Sequence, residues 1–186
     1  MKLFMLLLGC KPPGRNTEQH DIFFGIAHNL KELIPAIIAS WPEAHKKIHI
    51  DAWREVHFVD GHEIRVMEKM HAGKKFPNST IKLFFINLGG YKKNEFEEFH
   101  YKILTACENK SAAIAASKKS AFYKHTGFKG ATSHIDDKYG VDVDDIFEIE
   151  DILAPAFKEN YALQLTPSPG CVEDPIHLGY LRLEKL

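Results

Sequence analysis

Two apolar runs organise the chain. Residues 2–9 and 82–89 are each apolar enough to be a strand buried on both faces, and each ends in glycine. Laying residue 2 on residue 82 aligns Lys2/Lys82, Leu3/Leu83, Phe4/Phe84, Leu8/Leu88 and Gly9/Gly89. The match continues through Glu18/Glu98, His20/His100, Asn29/Asn109, Ile34/Ile114, Ala36/Ala116 and Ser40/Ser120. About a quarter of positions 2–44 are identical, several times the chance level. A five-residue shift then puts His49-Ile50-Asp51 on His134-Ile135-Asp136, and Val56, Asp60 and Glu63-Ile64 on Val141, Asp145 and Glu148-Ile149.

Each copy reads β-β-α-β-β. The second strand starts near His20 or His100, and the helix follows Asn29 or Asn109, residues suited to an N-cap or a turn. Leu30, Leu33, Ile34, Ile37, Ile38 and Trp41 keep helical spacing, so one face packs on the sheet. Pro35 places the start of the regular helix late, or bends it. The second helix is expected over the Ala- and Lys-rich stretch 111–124. The last two strands of each copy are expected at 48–58 and 62–68, then 133–143 and 145–151. Asp60-Gly61 is the turn of the first of these hairpins.

The expected fold is therefore α+β: an internal tandem duplication of a β-β-α-β-β unit, pseudo-twofold, with an extra C-terminal strand. The first repeat covers 1–68, a linker 69–81, the second repeat 82–153 and a C-terminal extension 154–186. The extension is irregular and proline-rich except at 176–183, which alternates like an added strand. Two small copies each have a modest core, which favours a shared interior with a cleft.

Composition narrows the function classes. Lys+Arg and Asp+Glu number 24 and 25, so no basic surplus calls for nucleic acid. The chain is 45% hydrophobic and 26% charged, a soluble composition, with no apolar run long enough to span a bilayer. Met1–Cys10 ends in Leu-Leu-Gly-Cys like a lipoprotein signal, but the same element recurs at 82–89 inside the chain, which favours a strand. Cys10, Cys107 and Cys171 are few and far apart, which argues for reduced thiols in a cytoplasmic protein and against a disulfide framework or thiolate zinc site.

The chemistry the repeat exposes is Glu-x-His and His-x-Asp. Glu18 and His20, with His49 and Asp51, form one set; Glu98 and His100, with His134 and Asp136, form the other. Residues two apart on a strand share a face, so each pair can set an imidazole beside a carboxylate. Convergence of two pairs would give two histidines and two carboxylates, suited to a small ligand, a divalent transition metal or a general base with its orienting group. The plainer reading is the stronger one: such residues at strand ends satisfy free backbone groups. Other signals are weaker. Gly89-Gly90-Tyr91-Lys92-Lys93 lacks the spacing of a phosphate loop, and the acidic stretch 136–145 lacks the EF-hand order. Cys10 aligns with Gly90, so the repeat gives no support for a nucleophile there.

In its Lys-Leu-Phe-x4-Leu-Gly strand, Glu-x-His, His-Ile-Asp, and the run Phe122–Phe128 followed by His134–Asp137, the chain resembles the bacterial domain of unknown function 1543 family. The domain occurs in one or two copies per protein, and the resemblance covers about residues 2–153. It implies the duplication and a bacterial cytoplasmic setting, and no activity. Three readings follow: a small-ligand or metal-binding module, a hydrolase or isomerase using metal or a histidine base (His20 or His100), and an assembly module forming a homo-oligomer through its C-terminal strand. The residues name no cofactor or substrate.

Overall fold

The computed structural model describes residues 1–45, 47–69, 80–91, 94–117 and 142–186. It is mixed α+β, mostly strands, with three antiparallel sheets among the described residues. The chain divides into two units. One joins Met1–Asn78 to Ile152–Leu186, and the other is Ser79–Asp151.

In the first unit, β1 (Lys2–Cys10), β2 (Gln19–Ala27), β3 (His49–Glu55) and β10 (His177–Arg182) form a sheet in the order β10-β3-β1-β2. Central β1 is apolar on both faces, as a strand paired on both sides and covered by helix must be. Phe4, Leu6, Leu8 and Cys10 face a core with Phe23, Ala27 and Ile50, closed by Leu33 and Ile37. The helix is bipartite: a 3-10 turn, Leu30–Leu33, leads into α1 (Ile34–Ser40), so Pro35 lies in the first turn, where no N–H is needed. Asn29 Oδ1 accepts from Glu32 N at 3.2 Å, and Glu32 Oε2 accepts from His28 N at 2.9 Å, which caps the entry reciprocally.

A second sheet holds β4 (Phe58–Val59), β5 (His62–Glu68) and β9 (Tyr161–Pro167). Asp60 and Gly61 both have positive φ, 47° and 71°, the backbone of the expected tight hairpin turn. Two expectations are corrected here. The strand expected at 48–58 breaks after Glu55, because Asp174 takes the N–H groups of His57 and Phe58 that a continuing strand would have used. The extension is also more regular than expected: helix Pro155–Asn160 precedes β9, which pairs with all of β5.

The second unit contains β6 (Lys82–Tyr91), β7 (Glu98–Cys107), α2 (Lys110–Ser117) and β8 (Asp142–Glu148), with sheet order β7-β6-β8. Asn109 Oδ1 caps α2 by accepting from Ala112 N at 3.0 Å. The strand expected at 145–151 ends at Glu148 and turns into a short helix, Ile149–Ile152, since Ile149, Ile152 and Leu153 keep helical spacing. Most of the strand expected at 133–143 lies outside the described residues, as does the end of the helix expected to 124.

The registers of β1 and β6 correct the frame of the sequence comparison. Phe4 faces Glu55 and Gly9 faces His49; Phe84 faces Glu148 and Gly89 faces Asp142. Glu148 thus holds the register place of Glu55, not of Glu63. Lys2 Nζ meets Glu55 Oε1 at 2.7 Å, and Lys82 Nζ meets Glu148 Oε2 at 2.7 Å. No helix among the described residues is long and apolar enough to cross a membrane.

Candidate functional site

Three strands build the site around Gly9, near the end of β1. Gly9 faces His20 on β2 and His49 on β3, so the two histidines flank it in one row across the sheet. Glu18 precedes His20 by two residues. Asp51 is the extra residue of a β-bulge, since Leu8 pairs with Ile50 and Leu7 with Ala52. Bulges of this kind re-aim a side chain and often border functional sites.

The four side chains meet across strands. His20 Nε2 lies 3.2 Å from Asp51 Oδ2, and His49 Nε2 lies 3.1 Å from Glu18 Oε1 and 3.3 Å from Asp51 Oδ1. Each histidine therefore meets the carboxylate of the other strand. None of these contacts has the direction of a hydrogen bond: His49 Nε2 and Asp51 Oδ2 are buried and without a hydrogen-bond partner. His49 is 8% exposed at its side chain, and Asp51 is 27% exposed. Tyr180, on β10, covers the His49 ring with centroids 4.2 Å apart.

Gly9 is required by this arrangement. A Cβ there would lie 2.4 Å from both Asp51 Oδ2 and His49 Nε2. The absent side chain is what lets the imidazole and carboxylate close over the strand.

Cys10 points to the other face, into the core, where its thiol reaches Ala44 O at 3.8 Å. Burial pushes that thiol above its ordinary value; the Glu18 carboxylate pushes the same way and Lys47 opposes it. A buried thiol of this kind stays protonated and unreactive near neutral pH. A groove of about 810 Å3, walled by Arg15, Gln19, Asp21, Trp41 and His45, contains none of the eight candidate residues.

In the second unit His100 faces Gly89, and its Nε2 lies 3.9 Å from Glu98 Oε2. His134 and Asp136 lie outside the described residues. By backbone register the place of His49 is held by Asp142, and the bulged residue matching Asp51 is Asp144. Gly89 and Gly90 lie within β6, paired to β7, and so form no phosphate loop. Among the described residues, no group of three or more His, Cys, Asp or Glu side chains is arranged as it stands to hold a metal ion.

Sequence reasoning missed Tyr180 and the function of Gly9. The glycine was visible in the sequence, but its role depends on the register that puts both histidines opposite it. The one available signal for Tyr180 was its place on the alternating C-terminal strand.

The whole fold has a known counterpart. The crystal structure of a protein Il1583 from Idiomarina loihiensis is similar over 98% of this chain and 97% of its own, with TM-score 0.63 and 21% identity. That likeness concerns the fold alone. No curated protein matches the chain. Residues 15–66, the stretch that carries Glu18, His20, His49 and Asp51, match the model of the family described as Domain of Unknown Function (DUF1543), and the chain resembles that domain family.

Proposed function

We propose that the chain is a small-ligand-binding module whose recognition set is Glu18, His20, His49 and Asp51. The observation that carries the proposal is the convergence of these four side chains at 3.1–3.3 Å, with His49 Nε2 and Asp51 Oδ2 among the buried atoms that make no hydrogen bond. An unsatisfied buried polar group costs about 1–3 kcal/mol, and native proteins hold few of them without a functional reason. A structural device of the kind that satisfies sheet ends would leave these atoms bonded. The set brings two carboxylates together, so the ligand group it favours is cationic. Isothermal titration of the full chain with putrescine and with divalent cations tests this: binding lost in Asp51→Asn supports the reading, and no binding of either class refutes it.

The second set is proposed as a related but different site, with Glu98 and His100 beside Gly89 and with His134 and Asp136 as its remaining candidates. We further read the two units as a duplicated pair. The matched sheet orders, the bulges after Leu7 and Asn87, and the paired Lys–Glu bridges support that reading.

Assembly through the C-terminal strand is a second reading, favoured by the exposure of Ile176, Leu178 and Tyr180. Light scattering after gel filtration decides it: a dimer broken by Leu178→Lys supports it, and a monomer at high concentration excludes it.

A further inference from the structure

We propose that the groove of about 810 Å3 on the helix-covered face of the first sheet is a second ligand site, and that it takes a saccharide. Its place in the fold separates it from the histidine–carboxylate cluster. Gln19 and Asp21 pair with Cys10 and Leu8, which face the core, so their side chains stand on that same face. His20, between them, pairs with Gly9 and stands on the opposite face. The two sites lie back to back on β2, and the groove does not rest on the binding-module reading above.

The groove is held open by its own backbone. One wall is the turn between β1 and β2. There Arg15 N donates to Pro12 O at 3.3 Å and Gly14 has φ 79°, as in a type II turn with Pro13 at its first central position. The other wall is the 3-10 turn Pro42–Ala44 that follows α1. There Ala44 N donates to Trp41 O and His45 N to Pro42 O, both at 3.1 Å, and His45 takes the left-handed conformation with φ 47°. Pro12, Pro13 and Pro42 all line the groove, and proline fixes φ, which stiffens both walls.

The lining narrows the ligand class. Trp41 packs against the core, partly buried, and also lines the groove, so it offers an apolar surface suited to the C–H face of a sugar ring. With it stand a guanidinium (Arg15), an amide (Gln19), two carboxylates (Asp21 and Glu43) and an imidazole (His45). So polar a lining has little to offer a lipid tail, and two carboxylates against one guanidinium disfavour a phosphate backbone. Among the described residues, the side chains of Arg15, Gln19, Glu43 and His45 make no hydrogen bond or ion pair. Asp21 gives only Oδ1, to Ile22 N at 2.7 Å. Their donors and acceptors are therefore open to a ligand whose hydroxyls reproduce the bonds that water makes with them. A saccharide meets these terms together: an apolar face, hydroxyls that both donate and accept, and neighbouring hydroxyls placed for planar groups that bond through two atoms.

The test follows the indole N–H signals of Trp41 and Trp53, the chain's two tryptophans, by NMR on the isotope-labelled full chain. The probes are maltotriose, cellotriose, chitotriose and xylotriose, with trialanine and inorganic phosphate as competing classes. The expected result is that at least one trisaccharide shifts the Trp41 signal saturably and leaves that of Trp53, which is absent from the groove, in place. Arg15→Ala and Gln19→Ala, both exposed changes, should each weaken that binding by at least about 10-fold without disturbing the rest of the spectrum. Asp51→Asn should leave it unchanged, and saccharide binding lost in that variant would overturn the assignment to the groove. Saccharide binding indifferent to both Arg15→Ala and Gln19→Ala would overturn it as well. So would trialanine or phosphate shifting Trp41 where the trisaccharides do not, or no shift from any trisaccharide.

Discussion

Gly9→Ala is the sharpest test of the site's geometry. In an ordinary strand this change stabilises by about 0.4–1 kcal/mol, because alanine restricts the unfolded chain. Gly9 is not in the positive-φ region, so its backbone accepts alanine without strain. The cost comes from space. The new methyl would lie 2.4 Å from Asp51 Oδ2 and His49 Nε2 and 2.9 Å from His49 Cε1. Ordinary contact begins near 3.4 Å, so both side chains must retreat by about 1 Å. Asp51 can swing toward solvent, whereas the His49 side chain is buried against the Tyr180 ring. Overpacking of this kind costs about 1–3 kcal/mol. The net expectation is a loss of about 1–2 kcal/mol, a fall in Tm of roughly 2–8 °C for a chain of this size. Scanning calorimetry on the full chain reads the shift, and the ring-proton NMR signals of His20 and His49 should move with it. A Gly9→Ala variant as stable as the parent, or more so, would refute the close approach on which the site is built.

Further expectations follow from other contacts. Asp174→Ala removes the acceptor of two backbone N–H groups, at 2.6 and 2.9 Å, and of the His57 ring. It should cost about 2–4 kcal/mol, with faster hydrogen exchange across β10 as the specific sign. Asn29→Ala and Asn109→Ala each remove a helix cap and should each cost about 0.5–2 kcal/mol, near-additively in urea melts because they lie in different units. The raised Cys10 thiol means the folded chain keeps a proton that the unfolded chain loses above the ordinary value of 9.0. Its contribution is therefore full below that pH and is lost as pH rises through the folded value; Cys10→Ala should flatten the decline measured by denaturant melts at alkaline pH.

Features set by near neighbours were legible in the sequence: the two apolar strands, both Asn caps, the Asp60-Gly61 turn and the place of Pro35. The Glu-x-His and His-x-Asp pairs were legible as same-face pairs because strand side chains alternate with period two. Features set by distant residues were not. The end of β3 at Glu55 depends on Asp174, far along the chain. The partner of Gly89 depends on the register of β8, which a five-residue shift in the sequence frame mistook. β9 was hidden because the surrounding prolines outweighed the alternation of Tyr161, Leu163 and Leu165.

The first unit takes its last two strands, β9 and β10, from sequence that follows the whole second unit. A ribosome therefore delivers the second unit with every described strand of its sheet in hand, while β5 and β3 still wait for their outer neighbours. The edge of β3 bearing His49 and Asp51 stays uncovered until β10 emerges. Synthesis from the N-terminus thus delivers the described strands of the inserted unit before the strand that covers the site. A chain truncated short of His177 would have a second unit that resists protease while its first is still cut.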